Sequence, residues 1–127
     1  MIHLDTNALI ALPQWVAQKT PMVMRVVNGE AASVCAVVWY EYLVGPLDGD
    51  EAEMARAFLQ GGIQEISEAD AELAARLYND AGRSRRFKTD ALIASSAIRA
   101  GAELVTLNAD DFKPFVGNGL RLMPAMI

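Results

Sequence analysis

Histidine and cysteine are almost missing from this chain: His3 and Cys35 are the only examples among 127 residues. A lone cysteine closes no internal disulfide, which fits a reducing compartment, and one histidine with one cysteine cannot form a structural zinc centre. No apolar run approaches the ~18 residues a membrane-spanning helix needs. Nor does a basic segment lead into an apolar run near the N-terminus, so no secretory signal is expected and the expected location is the cytoplasm. Positive charge is also scarce. Eleven Lys and Arg stand against sixteen Asp and Glu, a net charge of −5, which argues against nucleic-acid binding through bulk charge. Yet Arg83, Arg85, Arg86 and Lys88 crowd into one short stretch. If several acids hold divalent cations, the formal count also misstates the field near them.

What is present is apolar and evenly spread, with 53% hydrophobic and 21% charged residues, a globular composition at a length expected to form one domain over 1–127. Taken in order, Ile2–Leu4 reads as a strand ending on Asp5, with Thr6 and Asn7 able to cap a helix that starts near Ala8. Pro13 to Thr20 is expected to end that helix in a turn. Thr20-Pro21 is a cap followed by proline at the first helical position, opening a helix to Val27 that Asn28-Gly29 closes. The β-branched run from Ala32 to Val37 suits a buried parallel strand. The helix expected over Val38–Val44 puts Trp39, Tyr42 and Leu43 on one face by three- and four-residue spacing.

Glu51–Gln60 reads as a helix with Met54, Ala55, Phe58 and Leu59 inward. Ile63–Ile66 alternates as a short strand. Ser67 with Asp70 forms a capping pattern for a helix to about Ala81, on which Asp70, Glu72 and Asp80 read as solvated charges. Arg83–Lys88 is expected as a basic loop, with Thr89 capping a helix over Asp90–Ala100 that Gly101 ends. Ala102–Leu107 is expected as a strand and Asn108–Phe112 as a turn. A last short strand is expected near Leu120–Met123, in a tail that contains Pro124. Strands alternating with helices predict an α/β fold with a mainly parallel sheet.

Four acidic positions fall where such a sheet builds sites, outside the carboxyl ends of its strands: Asp5, Glu41, Asp90 and the pair Asp110–Asp111. Each has a bland alternative. Asp5 and Asp90 suit helix starts on dipole grounds alone, and Asp110 suits a turn. Glu41 is harder to dismiss, because an acid among Val38, Trp39, Tyr40, Tyr42, Leu43 and Val44 must face something. His3 reads as a satisfied strand residue and Cys35 as a small core residue. Acids gathered together repel, and a divalent cation removes that cost. Hard oxygen donors suit Mg²⁺ or Mn²⁺, and a metal so held lowers the pKa of water and neutralises charge on a phosphodiester.

The motifs LDTNALI at the start, WYEYLVG around Glu41, TDALIA at 89–94 and TLNADDF at 106–112 together resemble the PIN domain. More narrowly, they resemble the VapC-type toxin ribonucleases of bacterial toxin–antitoxin pairs. The resemblance spans essentially the whole chain, with the motifs in the family's order. It implies a PIN-like three-layer α/β/α fold and an endoribonuclease that uses Mg²⁺ or Mn²⁺. Carried over residue by residue, it implies Asp5, Glu41 and Asp90 as catalytic acids and metal ligands. The fourth ligand stays open between Asn108, Asp110 and Asp111, with Asp111 also a candidate catalytic acid. Two positions where relatives often carry a small hydroxyl residue hold Cys35 and Val38 here. Thr6, Asn7 and Thr106 are expected to orient carboxylates or water around the ligands. Arg83, Arg85, Arg86 and Lys88 are expected to hold the RNA backbone, with solvation or an acidic partner protein as the other readings.

Met22, Met24, Val26 and Val27, with Trp15 nearby, read either as core or as an exposed apolar surface. The second reading would serve the partners the resemblance implies, a small cognate antitoxin and a second copy of the chain. Two other functions compete. One is a PIN-like binding or scaffold module with little catalysis. The other is a receiver- or phosphatase-like domain with Asp5 as phosphoryl acceptor, disfavoured because Asp5 is followed by Thr6 and Asn7 rather than by a second acid.

Overall fold

The computed structural model describes residues 1–123; Pro124 lies outside the described residues. Five strands, β1 (Ile2–Leu4), β2 (Ala32–Cys35), β3 (Ile63–Gln64), β4 (Glu103–Val105) and β5 (Arg121–Met123), form one sheet in the order β3-β2-β1-β4-β5. All neighbouring pairs are parallel. Six helices of seven or more residues pack around it: α1 (Thr6–Gln18), α2 (Pro21–Val27), α3 (Ala36–Val44), α4 (Glu51–Phe58), α5 (Glu68–Asp80) and α6 (Lys88–Ala100). A short α7 (Ala109–Phe112) follows β4. This is the expected α/β arrangement, a parallel sheet between helical layers. Its strands are almost wholly buried at the centre, Ile2, Leu4, Val34, Leu104 and Val105 among them, as a sheet covered on both faces requires.

The topology fixes where a site can form. β1 is central, with β2 on one side and β4 on the other. The winding therefore reverses at β1 and leaves a crevice outside its carboxyl end. Asp5 follows β1 directly, and its amide bonds to the Val105 carbonyl at 2.9 Å. At the opposite end of the sheet, Arg25 pairs with Glu30 at 2.6 Å and with Glu103 at 2.7 Å, while the N-terminal amine lies 3.5 Å from Glu30. That network ties together the starts of β1, β2 and β4.

Several sequence expectations need correction. α1 runs through Pro13 to Gln18 and stops only at Lys19, which adopts a left-handed conformation (φ 53°) and returns its amide to Trp15 and Val16. Leu12 and Trp15 are buried while Pro13 is exposed, so packing holds the helix past a residue that weakens it. Thr20 is the cap of α2 by position, but its side chain makes no capping bond and its hydroxyl is buried without a partner. β2 ends at Cys35 rather than Val37, because Cys35 is the extended residue before α3. β3 and β4 are likewise shorter than expected, and Asn108–Phe112 is not a plain turn but carries α7.

Thr89 does not cap α6, which starts at Lys88 after a 3₁₀ turn over Arg85–Phe87. Phe87 packs edge-on against the buried Phe115, with ring centres 6.0 Å apart, and this anchors the basic loop. On α3, Val38 and Tyr42 face the core while Leu43 is exposed, and on α4 Met54 is exposed rather than inward. Asp70 is not a solvated charge. It is buried, completes a reciprocal capping box with Ser67, and pairs with Arg99 at 2.9 Å, locking α5 to α6. His3 is buried as a strand residue should be, but its Nε2 has no hydrogen-bond partner.

Candidate active site

Asp5 is fixed through both carboxylate oxygens. Oδ1 accepts from the Thr6 amide at 2.8 Å, and Oδ2 accepts from the Thr106 hydroxyl at 2.8 Å. Thr106 in turn accepts from the Asn108 amide at 3.0 Å. The loop after β4 is therefore built onto the end of β1. Asn7 adds a second tie, its side-chain oxygen accepting from the Leu107 amide at 3.0 Å. Thr6 reaches sideways, its hydroxyl donating to Oε1 of Glu41 at 2.5 Å. Three residues chosen from sequence as orienting groups thus each hold an acid or the loop that carries one.

Glu41 lies on α3, which the buried, extended Cys35 precedes without making a side-chain capping bond. Asp90 projects from the first turn of α6. Burial and repulsion from Asp5, Asp111 and Glu41, in that order, raise its pKa to about 7, with Arg86 opposing. Asp5 is also raised, chiefly by burial and then by Glu41 and Asp111, against the lowering effect of its Thr106 and Thr6 hydrogen bonds. These mutual effects place Asp5, Glu41, Asp90 and Asp111 in one field.

The remaining candidates separate. Asp110, on α7, is 85% exposed and pairs with Lys113 at 2.6 Å, so it is a solvated surface acid. The Asn108 side chain is exposed beside the site, while its backbone is engaged, the amide donating to Thr106 and the carbonyl accepting from the Asp111 amide at 3.0 Å. Asp111 is bound by Arg86, whose Nη2 donates to Oδ1 at 2.6 Å. Arg83, Arg85 and Lys88 are exposed around the same loop. Arg86, Asn108, Asp110 and Asp111 line a shallow depression of about 500 Å³. Phe87, which seats this loop, was not singled out from sequence, although an aromatic inside a run of cations was the available signal.

Among the described residues, no three His, Cys, Asp or Glu side chains converge as a group able to hold one metal ion. The acids share a field without sharing a coordination point. Their chemistry still fits a divalent cation. The donors are hard oxygens, and the raised Asp5 and Asp90 record negative charge that only Arg86 offsets at Asp90.

A model of the PIN domain family matches residues 2–115. The chain belongs to the PIN-domain family. PIN domains are generally nucleases. Among curated proteins, none matches significantly. Of solved structures, a toxin–antitoxin complex from Klebsiella pneumoniae shares 24% identity at a TM-score of 0.71, covering 100% of both chains. VapBC2 from Rickettsia felis, bound to a DNA fragment from its promoter, shares 22% at 0.70 over 100% of both. VapBC-1 from nontypeable Haemophilus influenzae shares 20% at 0.63, over 97% of both. At these identities the likeness shows a common fold.

Proposed function

We propose that this PIN domain is a metal-dependent endoribonuclease that hydrolyses RNA phosphodiester bonds, and that it is the toxin of a toxin–antitoxin pair. The observation that carries the catalytic part is Asp90. A carboxyl pushed to about 7 by three neighbouring acids and by burial is a strained arrangement that a divalent cation relieves. Asp5, Glu41 and Asp90, with Asp111 and Asn108, would hold Mg²⁺ or Mn²⁺. When bound, the ion would acidify water and neutralise charge developing on the phosphodiester. The chain's own part is orientation. Thr106 and the Thr6 amide hold Asp5, the Thr6 hydroxyl holds Glu41, and Asn7 with Thr106 sets the loop bearing Asn108 and Asp111. Arg83, Arg85 and Lys88 would bind RNA phosphates beside Asp90.

The partner reading is supported by an apolar groove of about 650 Å³ between α1, α2 and α4, lined by Leu9, Leu12, Val16, Val27, Met54 and Phe58. Trp15, Met22 and Val26 prove to be core, whereas Val27 and Met24 are exposed. An antitoxin helix would lie in this groove. The outward side of α3, with Tyr40, Leu43 and Val44 exposed, would suit a second copy in a homodimer. The fold-level relatives are themselves toxin–antitoxin complexes. No helix among the described residues is long and apolar enough to cross a membrane, which agrees with a cytoplasmic toxin. The second reading, a binding module with little catalysis, draws on the acids' failure to converge as they stand.

Incubating the protein with structured RNAs in Mg²⁺, in Mn²⁺ and in chelator separates the two. Cleavage that needs the metal and is lost in Asp90→Ala, in a variant that still melts cooperatively, is the expected result. Equal cleavage by both proteins would overturn the site assignment, and no cleavage by either would favour the binding module.

A further inference from the structure

Arg86 stands out among the cations near the site, because it is committed to a carboxylate that the site needs. Its guanidinium donates to Oδ1 of Asp111 at 2.6 Å and also lies 4.8 Å from the centre of the Phe87 ring. Phe87 is itself seated on the buried Phe115. The fork is therefore held from one side by an aromatic face and directed across the opening between the start of α6 and α7. We propose that Arg86 is a built-in stand-in for the metal: it occupies Asp111 in the metal-free protein, and a divalent cation must compete with it for that carboxylate. This rests on the metal-dependent reading above.

Three observations meet in it. Asp5, Glu41, Asp90 and Asp111 share one field, yet no three of them converge on a coordination point. Asp111 is the member of the set engaged by a guanidinium rather than by a hydroxyl or an amide. A guanidinium bound to a carboxylate oxygen uses the lone pairs a metal would use. Arg86 is thus a positioning residue that sets how readily the fourth acid joins the others. The ordering of the loop by Phe87 makes that pairing more persistent than a free surface pair.

A double-mutant cycle tests this by titrating Mn²⁺ into the protein and following bound metal by calorimetry and electron paramagnetic resonance, without RNA. Arg86→Gln, at a side chain 64% exposed, should leave cooperative melting intact and tighten Mn²⁺ binding roughly three- to fivefold, the span of a partly exposed pair. In an Asp111→Asn background the same substitution should change the affinity less than about twofold. Equal tightening in both backgrounds would show a general charge effect and overturn the stand-in role, as would no tightening in either. Should wild type bind no Mn²⁺ at all, the metal-dependent reading fails together with this one. Wild-type binding with no coupling removes only the role of Arg86.

Discussion

At the scale of single residues, the site is held by hydroxyl groups more than by charges. Thr106 occupies the middle of a relay from the Asn108 amide to Asp5. Thr106→Val keeps the side chain's shape but leaves Asp5 Oδ2 without its donor. Divalent-cation affinity should fall by about tenfold, as when an orienting partner of a ligand is removed, with a loss of stability of about 1–3 kcal/mol from the stranded polar groups; calorimetric titration of Mn²⁺ and urea melts check the two. Asp90 should behave oppositely, as a residue whose removal relieves the fold. In chelator at pH 7.5, Asp90→Asn should be more stable than wild type by about 1–2 kcal/mol once solvent screening of a half-exposed group is allowed for, while RNA cleavage falls at least a hundredfold. Urea melts and a cleavage assay read the two effects, and a destabilised Asp90→Asn would contradict the repulsion inferred at this position. Asp5 and Asp90 were legible in the sequence because each sits at a strand end or a helix start, and Glu41 because it is an acid inside an apolar run. The Arg86–Asp111 pair was not, since residues 25 apart are joined only by the packing of Phe87 on Phe115.

At the scale of elements, most of the order along the chain follows from local chemistry. The capping box at Ser67–Asp70, the proline at the start of α2 and the glycine after α6 each act within a few residues, so their helices were readable. Two of the misreadings, the end of α1 and the inward face of α3, share one physical cause, long-range burial. Leu12 and Trp15 carry α1 beyond Pro13, and the core takes Val38 and Tyr42 rather than Leu43 from α3. Gly61 shows the same dependence, because a Cβ there would stand 2.9 Å from the Ala32 carbonyl oxygen and 3.2 Å from the Ser33 Cβ. Gly61→Ala should therefore destabilise the β2–β3 edge by about 1–3 kcal/mol, seen as a lowered midpoint in urea. The groove between α1, α2 and α4 makes a functional prediction at this scale. Val27→Glu and Met54→Glu alter side chains that are 67% and 68% exposed, so folding and RNA cleavage should persist. Inhibition by the cognate antitoxin should weaken at least tenfold, measured as the antitoxin concentration that halves cleavage. Unchanged inhibition would move the partner to another face.

At the scale of the whole molecule, the buried His3 and the half-exposed Asp90 respond to pH in opposite directions over the same interval. His3 is held near 4, below its ordinary 6.5, first by burial and then by the N-terminal amine, with Asp70 opposing. Its neutral form stabilises the fold fully above about pH 6.5. As pH falls from there through 4, the unfolded chain takes up the proton first and up to about 3 kcal/mol is lost. Asp90, raised from 3.8 to about 7, holds its proton more tightly folded than unfolded, so its effect on stability worsens as pH rises across that range. In chelator the wild type should therefore show a shallow profile between pH 4.5 and 7. Asp90→Asn should steepen the rise toward neutrality and His3→Leu should turn it into a fall. Parallel urea-midpoint profiles for the three proteins would refute both assignments. The parallel sheet carries a further consequence. Its strands are never joined by hairpins, and the acids at 5, 41, 90 and 111 come from four segments far apart in the chain, the set being completed only when β4 docks beside β1 and brings Asp111 with it. Such contacts form late and at high entropic cost. Under the proposed nuclease activity, a chain of this kind has no working blade while it is being synthesised: nothing can be cut until residue 111 has emerged and folded back beside the other acids.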